Sequence, residues 1–111
     1  MNPQKFLFPH GVLSPILTPL TSNYQVDVDL LVSHAHRVLD DGCVGIVPFG
    51  TTGEALSVGR EERITSLEAL INSGIDPSKL LVGTGQTNLD DTLILTRHAV
   101  EMNSAGVLVL P

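Results

Sequence analysis

The chain has 111 residues, 42% of them hydrophobic, with no tryptophan and a formal net charge of −6. This length suits a single domain with a modest core. The six lysines and arginines are scattered singly, so we expect no basic face for nucleic acid. No apolar stretch approaches the roughly 20 residues of a membrane span, and residues 1–10 lack the layout of a signal peptide. We therefore expect a cytoplasmic protein that binds neither nucleic acid nor membrane.

The first part of the chain predicts a strand followed by a helix. Gly11 to Leu17 is a short apolar run that ends at Thr18-Pro19, as is typical of a strand leaving a buried sheet. Asp27 is a good N-cap for a helix over 28–41, and Gly42 is a suitable stop. The residues expected on the inner face of this helix are Leu30, Leu31, His34, Val38 and Leu39.

The next segment predicts a second strand, a loop and a second helix. Cys43 to Phe49 is a continuous apolar run without polar alternation, which indicates a strand buried on both faces of a parallel sheet. A helix over 60–73 follows, with Gly59 and Glu62 in the positions of an N-cap and its N3 partner. Its expected inner face consists of Ile64, Leu67, Leu70 and Ile71.

The last part predicts a third strand over 80–84, a third helix and a fourth strand over 106–110. Asn88 is placed to cap the helix, and Asp90 and Asp91 suit the positive end of its dipole. Alternation of strands and helices with right-handed crossovers gives a parallel α/β sheet. The expected inner face of the third helix consists of Leu93, Ala99, Val100 and Met102.

The loop Gly50-Thr51-Thr52-Gly53-Glu54 follows the second predicted strand and is the main candidate for chemistry. Two hydroxyls and several backbone amides lie between glycines, which permit close backbone approach to an anion. In parallel sheets ligands bind at the carboxyl ends of the strands, where Thr18 and residues 84–87 also belong. The pattern indicates a carboxylate site, although the threonines could instead cap Glu54 or the next helix.

This loop, together with Thr18-Pro19 and Gly83-Thr84-Gly85, resembles the dihydrodipicolinate synthase and N-acetylneuraminate lyase family. The resemblance implies a TIM-type (β/α)8 barrel. A closed barrel needs roughly 250 residues, so residues 1–111 would form a single partial domain. They would supply the N-terminal half, with the first four strands and three helices, and the frame is expected to continue past Pro111.

Members of this family are class I aldolases and related lyases that condense or release pyruvate through a Schiff base on a lysine. On the resemblance, Thr52 would bind the carboxylate of pyruvate through its hydroxyl and amide. Thr51 would pass protons in a hydroxyl relay with tyrosines, and Gly50 and Gly53 would keep the loop tight. The resemblance implies a 2-keto acid substrate, no cofactor, no metal, and a homo-oligomer at full length.

The Thr-Thr pair resembles the synthase and keto-deoxy sugar acid aldolase or dehydratase branches, whereas the sialic-acid lyase branch usually has serine first. We place the synthase branch first and the aldolase or dehydratase second. Neither Lys5 nor Lys79 matches the Schiff-base lysine, and Tyr24 does not match the catalytic tyrosine. The lysine and the tyrosine are expected beyond residue 111, so the 111-residue chain alone is predicted to be inactive.

Other titratable residues are interpreted as structural. A carboxylate at Glu54 would repel that of pyruvate, so we favour a role in bonding nearby backbone amides. The four histidines do not have the spacing of a metal-binding motif. Their positions are His10, His34, His36 and His98.

Two interpretations from other classes remain at this point. A small flavodoxin-like module could bind phosphate at the Gly50 or Gly85 loops, using helix N-termini. Alternatively, the chain could be an inactive barrel fragment that assembles with a partner.

Overall fold

A computed structural model describes residues 10–110, which form four short strands and three helices in alternation. Lys5 and Pro111 lie outside the described residues. The order is β1 (Leu13–Pro15), α1 (Val28–Asp40), β2 (Gly45–Val47), α2 (Arg60–Asn72), β3 (Leu81–Gly83), α3 (Leu89–Glu101) and β4 (Gly106–Leu108), with single 3-10 turns at Ala55–Ser57 and Pro77–Lys79. Each predicted strand and helix is present, and the strands are shorter than the apolar runs that indicated them.

The four strands run parallel, as predicted. β1 pairs with β2, and β3 pairs with β4. The two pairs are joined by a parallel bridge between Ile46 and Leu80 and by a hydrogen bond of 2.8 Å from the Gly83 N–H to the Pro48 carbonyl. The sheet therefore follows the order of the chain, which brings the loops after successive strands to one edge.

β2 lies at the centre of the packing. Gly45, Ile46 and Val47 are all buried, which confirms the expectation of a strand covered on both faces. α2 packs between α1 and α3 on one side of the strands. The leucines and isoleucines of the core that are at most 2% exposed are Ile16, Leu31, Ile46, Leu67, Leu70 and Leu80.

All three helices begin at their predicted N-cap residues, and two of these caps use a side chain. The Asp27 carboxylate accepts the Leu30 N–H at 3.1 Å, and the Asn88 side chain accepts the Asp91 N–H at 2.8 Å. At α2, Gly59 is the N-cap as predicted, but Glu62 does not act as its partner. The Glu62 carboxylate instead accepts the Val26 N–H at 2.7 Å, because the chain entering α1 passes beside the start of α2.

The predicted inner face of α3 is partly wrong. Leu93 is 43% exposed and Val100 is 65% exposed, whereas Leu95 and Ala99 are buried. Residues four apart share a helix face, and Val100 is rotated by about 100° from its buried neighbour. Leu30 on α1 is likewise 53% exposed. The neighbour that a helix packs against decides which of its residues are buried. The positions of the apolar residues alone predicted too wide a buried face.

Candidate functional site

The Gly50–Glu54 loop leaves the buried end of β2 through an unusual backbone turn. Phe49 precedes it with a φ of +60° and is 1% exposed, and Glu54 closes it with a φ of +53°. The Glu54 N–H donates to the Thr51 carbonyl at 3.0 Å. Left-handed conformations cost free energy in residues with a side chain, so the surrounding packing must hold this turn.

Part of that packing comes from β3. Gly83 lies so close to the turn that a Cβ there would overlap the Phe49 carbonyl oxygen. The strand that follows α2 can therefore approach the turn only with glycine at this position.

Thr18 fixes the loop from the side of β1. Its hydroxyl is buried and donates to the Gly53 carbonyl at 2.6 Å. A Cβ on Gly53 would lie 3.0 Å from the Ile16 carbonyl oxygen and 3.1 Å from the Thr18 hydroxyl, so the glycine permits this close approach. At Gly50, by contrast, a Cβ would make ordinary contacts of 3.6 Å or more. Thr18 is thus a latch on the loop, and a Cβ at position 53 would force its close neighbours to shift.

Thr51 and Thr52, called here the threonine pair, lie on the open side of the loop. Both residues are exposed. Within residues 10–110, neither hydroxyl and neither backbone N–H takes part in a hydrogen bond. The predicted carboxylate site therefore contains donors that no described residue occupies.

A cavity of about 500 Å³ opens beside the loop at the carboxyl ends of β2, β3 and β4. Thr51 and Gly50 line it, while Thr52 does not belong to its wall. The remaining lining residues come from the loops after β2 and β3 and from the end of β4: Phe49, Glu54, Ala55, Leu56, Ser57, Gly85, Gln86, Thr87, Leu108 and Leu110. The predicted convergence of the β2 and β3 loops is observed, and the roles assigned to individual residues stay predictions.

Glu54 departs from its expected role. Its side chain is exposed on the cavity wall and makes no hydrogen bond to any residue between His10 and Leu110. The expected bonds from its carboxylate to nearby amides are therefore absent among the described residues. Its backbone conformation, which closes the turn, is the contribution that the structure reveals.

Sequence reasoning missed Arg63, the largest of the fully buried side chains. Its Nε donates to the Val58 carbonyl at 3.2 Å, its Nη1 donates to the Gly85 carbonyl at 2.8 Å, and its Nη2 donates to the Ala55 carbonyl. Burial lowers the pKa of Arg63, while the negative charge of Asp91 opposes that shift. A guanidinium stays protonated in proteins, so a cation lies beneath the loop.

The burial of Arg63 could have been inferred from the helical spacing of α2. Arg63 precedes Leu67 by four residues and Leu70 by seven, which places it on the buried face of α2. A charged residue in such a position indicates a specific set of acceptors, because buried charges without partners are costly.

The loop after β3 is fixed by polar contacts of its own. The side-chain amide of Gln86 donates to the Val58 carbonyl at 3.2 Å, and the backbone N–H of Gln86 donates to the Thr92 hydroxyl at 3.0 Å. Arg60 at the start of α2 pairs with Asp91 at the start of α3, with 3.1 Å between Nη1 and Oδ1. The Gln86 contacts join the loop after β3 to the segment before α2, and the Arg60–Asp91 pair joins the two helix N-termini.

The remaining candidate side chains lie away from the loop. Lys79 belongs to the 3-10 turn before β3, at the amino ends of the strands, and Tyr24 is 84% exposed in the turn before α1. His36 on α1 contacts the hydroxyl of Ser73 at the end of α2 at 2.9 Å, and His98 on α3 contacts Glu68 on α2 at 3.1 Å. Between residues 10 and 110 no group of three or more metal-binding side chains converges. In the same range no helix combines the length and apolarity needed to cross a membrane.

Comparison with known proteins places this geometry in a family. The sequence profile of the dihydrodipicolinate synthetase family matches residues 8–111. The 4-hydroxy-tetrahydrodipicolinate synthase of Methanosphaerula palustris is 33% identical over 102 residues, which are 90% of this chain and 35% of that protein. The chain thus spans about a third of the length of the relatives it matches.

Two solved structures share the fold. Dihydrodipicolinate synthase from Agrobacterium tumefaciens superposes with a TM-score of 0.85 at 33% identity, over 91% of this chain and 35% of the synthase. A variant of the 2-keto-3-deoxygluconate aldolase of Sulfolobus solfataricus, in a pyruvate complex, gives a TM-score of 0.78 at 27% identity, over 87% of this chain and 32% of the aldolase.

Proposed function

The chain belongs to the dihydrodipicolinate synthetase family, and from this premise we propose that the full-length protein is a lyase of the class I aldolase type. It would form or cleave a carbon–carbon bond to pyruvate through a lysine Schiff base, with the lysine outside these 111 residues. Residues 1–111 would form the N-terminal part of one (β/α)8 barrel domain. The family match removes the interpretation as a small flavodoxin-like phosphate-binding module.

The observation that carries the proposal is the open side of the Gly50–Glu54 loop. Within residues 10–110 the hydroxyls and amides of its threonine pair make no hydrogen bond, and Thr51 lines a cavity of about 500 Å³. This volume is in the range of small-molecule sites. Amide and hydroxyl donors without internal partners suit a small carboxylate, because charge-assisted hydrogen bonds to an anion are stronger than those between neutral groups.

We assign the two threonines different roles. Thr52 binds the carboxylate of pyruvate through its hydroxyl and amide, which orients the keto carbon. Thr51, which faces the cavity, passes protons in a relay with hydroxyls from the rest of the protein. A relay hydroxyl needs correct placement and no shifted pKa, since it accepts one proton as it donates another. Gly50 and Gly53 keep the loop compact.

The lysine amine would add to the keto carbon and expel water to give the imine. That step needs a neutral amine, which partial desolvation provides. No cofactor is expected, because the protonated imine itself withdraws electrons from the bond that forms or breaks. By itself the 111-residue chain is predicted to be inactive, and turnover by that purified chain would contradict this.

The synthase branch is our first assignment, with 4-hydroxy-tetrahydrodipicolinate synthase as the specific activity. The relative of that name and the synthase structure with the higher TM-score support this choice. A 2-keto-3-deoxy sugar acid aldolase or dehydratase is the second candidate, supported by the aldolase structure with pyruvate. Both share the pyruvate half of the reaction, so they differ in the second substrate. A cytoplasmic location and a homo-oligomeric state complete the proposal.

Borohydride trapping tests the reaction class. The full-length protein would be incubated with labelled pyruvate and reduced with borohydride, which converts an imine into a stable secondary amine. We expect one labelled lysine, located by peptide mass analysis in the part of the protein beyond residue 111. A folded protein that carries no label at saturating pyruvate would contradict the proposed function.

The branch is then tested with the second substrate. A synthase should convert pyruvate and its second substrate into 4-hydroxy-tetrahydrodipicolinate, whereas release of pyruvate from 2-keto-3-deoxygluconate would identify an aldolase. Activity with 2-keto-3-deoxygluconate alone would move the assignment to the second candidate.

A further inference from the structure

Arg63 connects the two loops that line the cavity. Two of its carbonyl acceptors, Ala55 and Val58, belong to the segment that follows the Gly50–Glu54 loop, and the third, Gly85, belongs to the loop after β3. The residue as a whole is 2% exposed. The Arg63 side chain therefore joins two segments. One, which contains Ala55 and Val58, lies just before it in the sequence, and the other contains Gly85, 22 residues after it.

The contact with Ala55 reaches the loop itself. The Ala55 N–H donates to the Gly50 carbonyl at 3.3 Å, so this peptide closes the base of the Gly50–Glu54 loop. The Arg63 guanidinium holds the carbonyl of the same residue. A shift of the guanidinium would move the base of the loop and, with it, the threonine pair.

The shape of the guanidinium suits this role. Its planar fork directs three separate N–H groups at three backbone carbonyls, whereas a lysine ammonium is a single point from which such separated acceptors cannot all be reached. Every acceptor is a backbone atom, so the bridge uses no side chain other than that of Arg63. By contrast, Arg60, one turn earlier on the same helix, bonds only to the carboxylates of Glu61 and Asp91 within residues 10–110.

We propose that Arg63 is a positioning residue for the keto-acid site, holding the Gly50–Glu54 loop in register with the loop after β3. This inference rests on the proposed function for its effect on pyruvate. Arg63 is not among the residues that line the cavity, and it acts through the backbone of Ala55 and Gly85. Its removal should lower pyruvate affinity even in protein that remains folded.

The test compares Arg63→Lys and Arg63→Met with the matched control Arg60→Met in the full-length protein. The first measurement is the pyruvate concentration that gives half-maximal borohydride trapping. Small misplacements of a binding group are costly, so we expect Arg63→Met to raise this concentration about tenfold or more. Arg63→Lys should raise it less. Arg60→Met should leave it within about twofold of the unsubstituted protein, because within residues 10–110 that side chain forms no hydrogen bond to either loop.

The second measurement is hydrogen exchange of the backbone amides in residues 50–58 and 85–87. Arg63→Met should accelerate exchange in both segments, and Arg60→Met should not. This readout needs no substrate. If the unsubstituted protein forms no pyruvate adduct, the proposed function fails while hydrogen exchange still decides the role of Arg63.

Chemical rescue provides a third readout that a purely structural role would not give. In Arg63→Gly, added methylguanidinium should occupy the vacated space and lower the half-maximal pyruvate concentration again. If Arg63→Met does not fold, Arg63→Lys and this rescue decide the question. Unchanged pyruvate affinity in the Arg63 variants, or unchanged exchange in both loop segments, would overturn the proposal even if their melting temperatures fall.

Discussion

The loop after β2 has an anchored side and an open side, which differ in how far their polar groups are hydrogen-bonded. On the anchored side, the Gly53 carbonyl accepts a bond from Thr18 and the Ala55 carbonyl accepts one from Arg63. On the open side, the threonine pair uses none of its hydroxyl or amide donors within residues 10–110. The loop is therefore held by its buried carbonyls, and its exposed donors are left available.

This difference shows how a short loop can be both rigid and able to bind. Free donors cost little where water reaches them, whereas buried carbonyls must be paired. A donor held in place before a ligand arrives loses less entropy on binding than a mobile one. The anchored side thus provides the preorganisation, and the open side provides the chemistry.

The largest effect should come from Gly83→Ala, which breaks the anchored side. The new Cβ would overlap the Phe49 carbonyl oxygen, and backbone atoms cannot move aside easily. Overpacking of this kind should lower the free energy of unfolding by about 3 kcal/mol or more. Thermal or urea unfolding of the full-length protein measures it.

Gly50→Ala is the matched control for that substitution. Its Cβ would make ordinary contacts with Leu108 and Val47, at 3.6 and 3.7 Å, so the expected loss is below about 1 kcal/mol. Equal losses at Gly50 and Gly83 would show that the approach of β3 to the turn is not the constraint.

Thr52→Val tests the open side and should act on binding without a loss of stability. Removing a hydrogen bond to a charged group costs about 1.5–3 kcal/mol, which corresponds to at least a tenfold loss of pyruvate affinity. Calorimetric titration with pyruvate measures it. Thr51→Val is the comparison, since a relay residue should reduce turnover more than affinity. Undiminished affinity in Thr52→Val would remove its proposed role.

Thr18→Val breaks the latch and should have an intermediate effect. It leaves the buried Gly53 carbonyl without its donor, at an expected cost of about 1–3 kcal/mol in unfolding free energy. Ser66→Ala is the matched control, because the Ser66 hydroxyl is buried and lacks a hydrogen-bond partner within residues 10–110. That substitution should be neutral or slightly stabilising, so an equal loss in both variants would contradict the latch.

The smallest effect concerns pH and a turn far from the loop. Hydrogen bonds from Ser78 hold the pKa of the exposed Asp76 below its usual value. A lowered folded-state pKa means that the contribution is present above the ordinary pKa of aspartate and is lost as the pH falls through the lowered value. Asp76→Asn should flatten this part of the stability–pH curve, as unfolding measured across acidic pH would show. An unchanged acidic slope would exclude the assignment.

Several features of the candidate site could be predicted because they depend on neighbouring residues. The apolar run before Gly50 indicated a strand buried on both faces, and β2 is such a strand. The end of a parallel strand is a common place for ligands, which directed attention to Gly50–Glu54 and to residues 84–87. The cavity lined by these two loops lies at the carboxyl ends of the strands, the region to which that reasoning pointed.

Other features could not be predicted because their partners are distant in sequence. The Glu62 carboxylate was assigned to its own helix and instead bonds to Val26, 36 residues away. The outward positions of Leu93 and Val100 depend on how α3 lies against α2. An amphipathic pattern constrains a helix face to a broad stripe, and the packing partner selects the residues within it.

By itself, the sequence determined the alternation of strands and helices, the caps at Asp27 and Asn88, and the glycine-flanked threonine pair. Helix period, strand period and cap chemistry depend on residues a few positions apart, so they can be recognised in the sequence before the fold is known. Only the tertiary structure decided that Thr18 holds Gly53 across 35 residues and that Arg63 reaches Gly85 across 22. Hydrogen bonds act over about 3 Å, so such partners are defined only after the sheet has brought distant segments together.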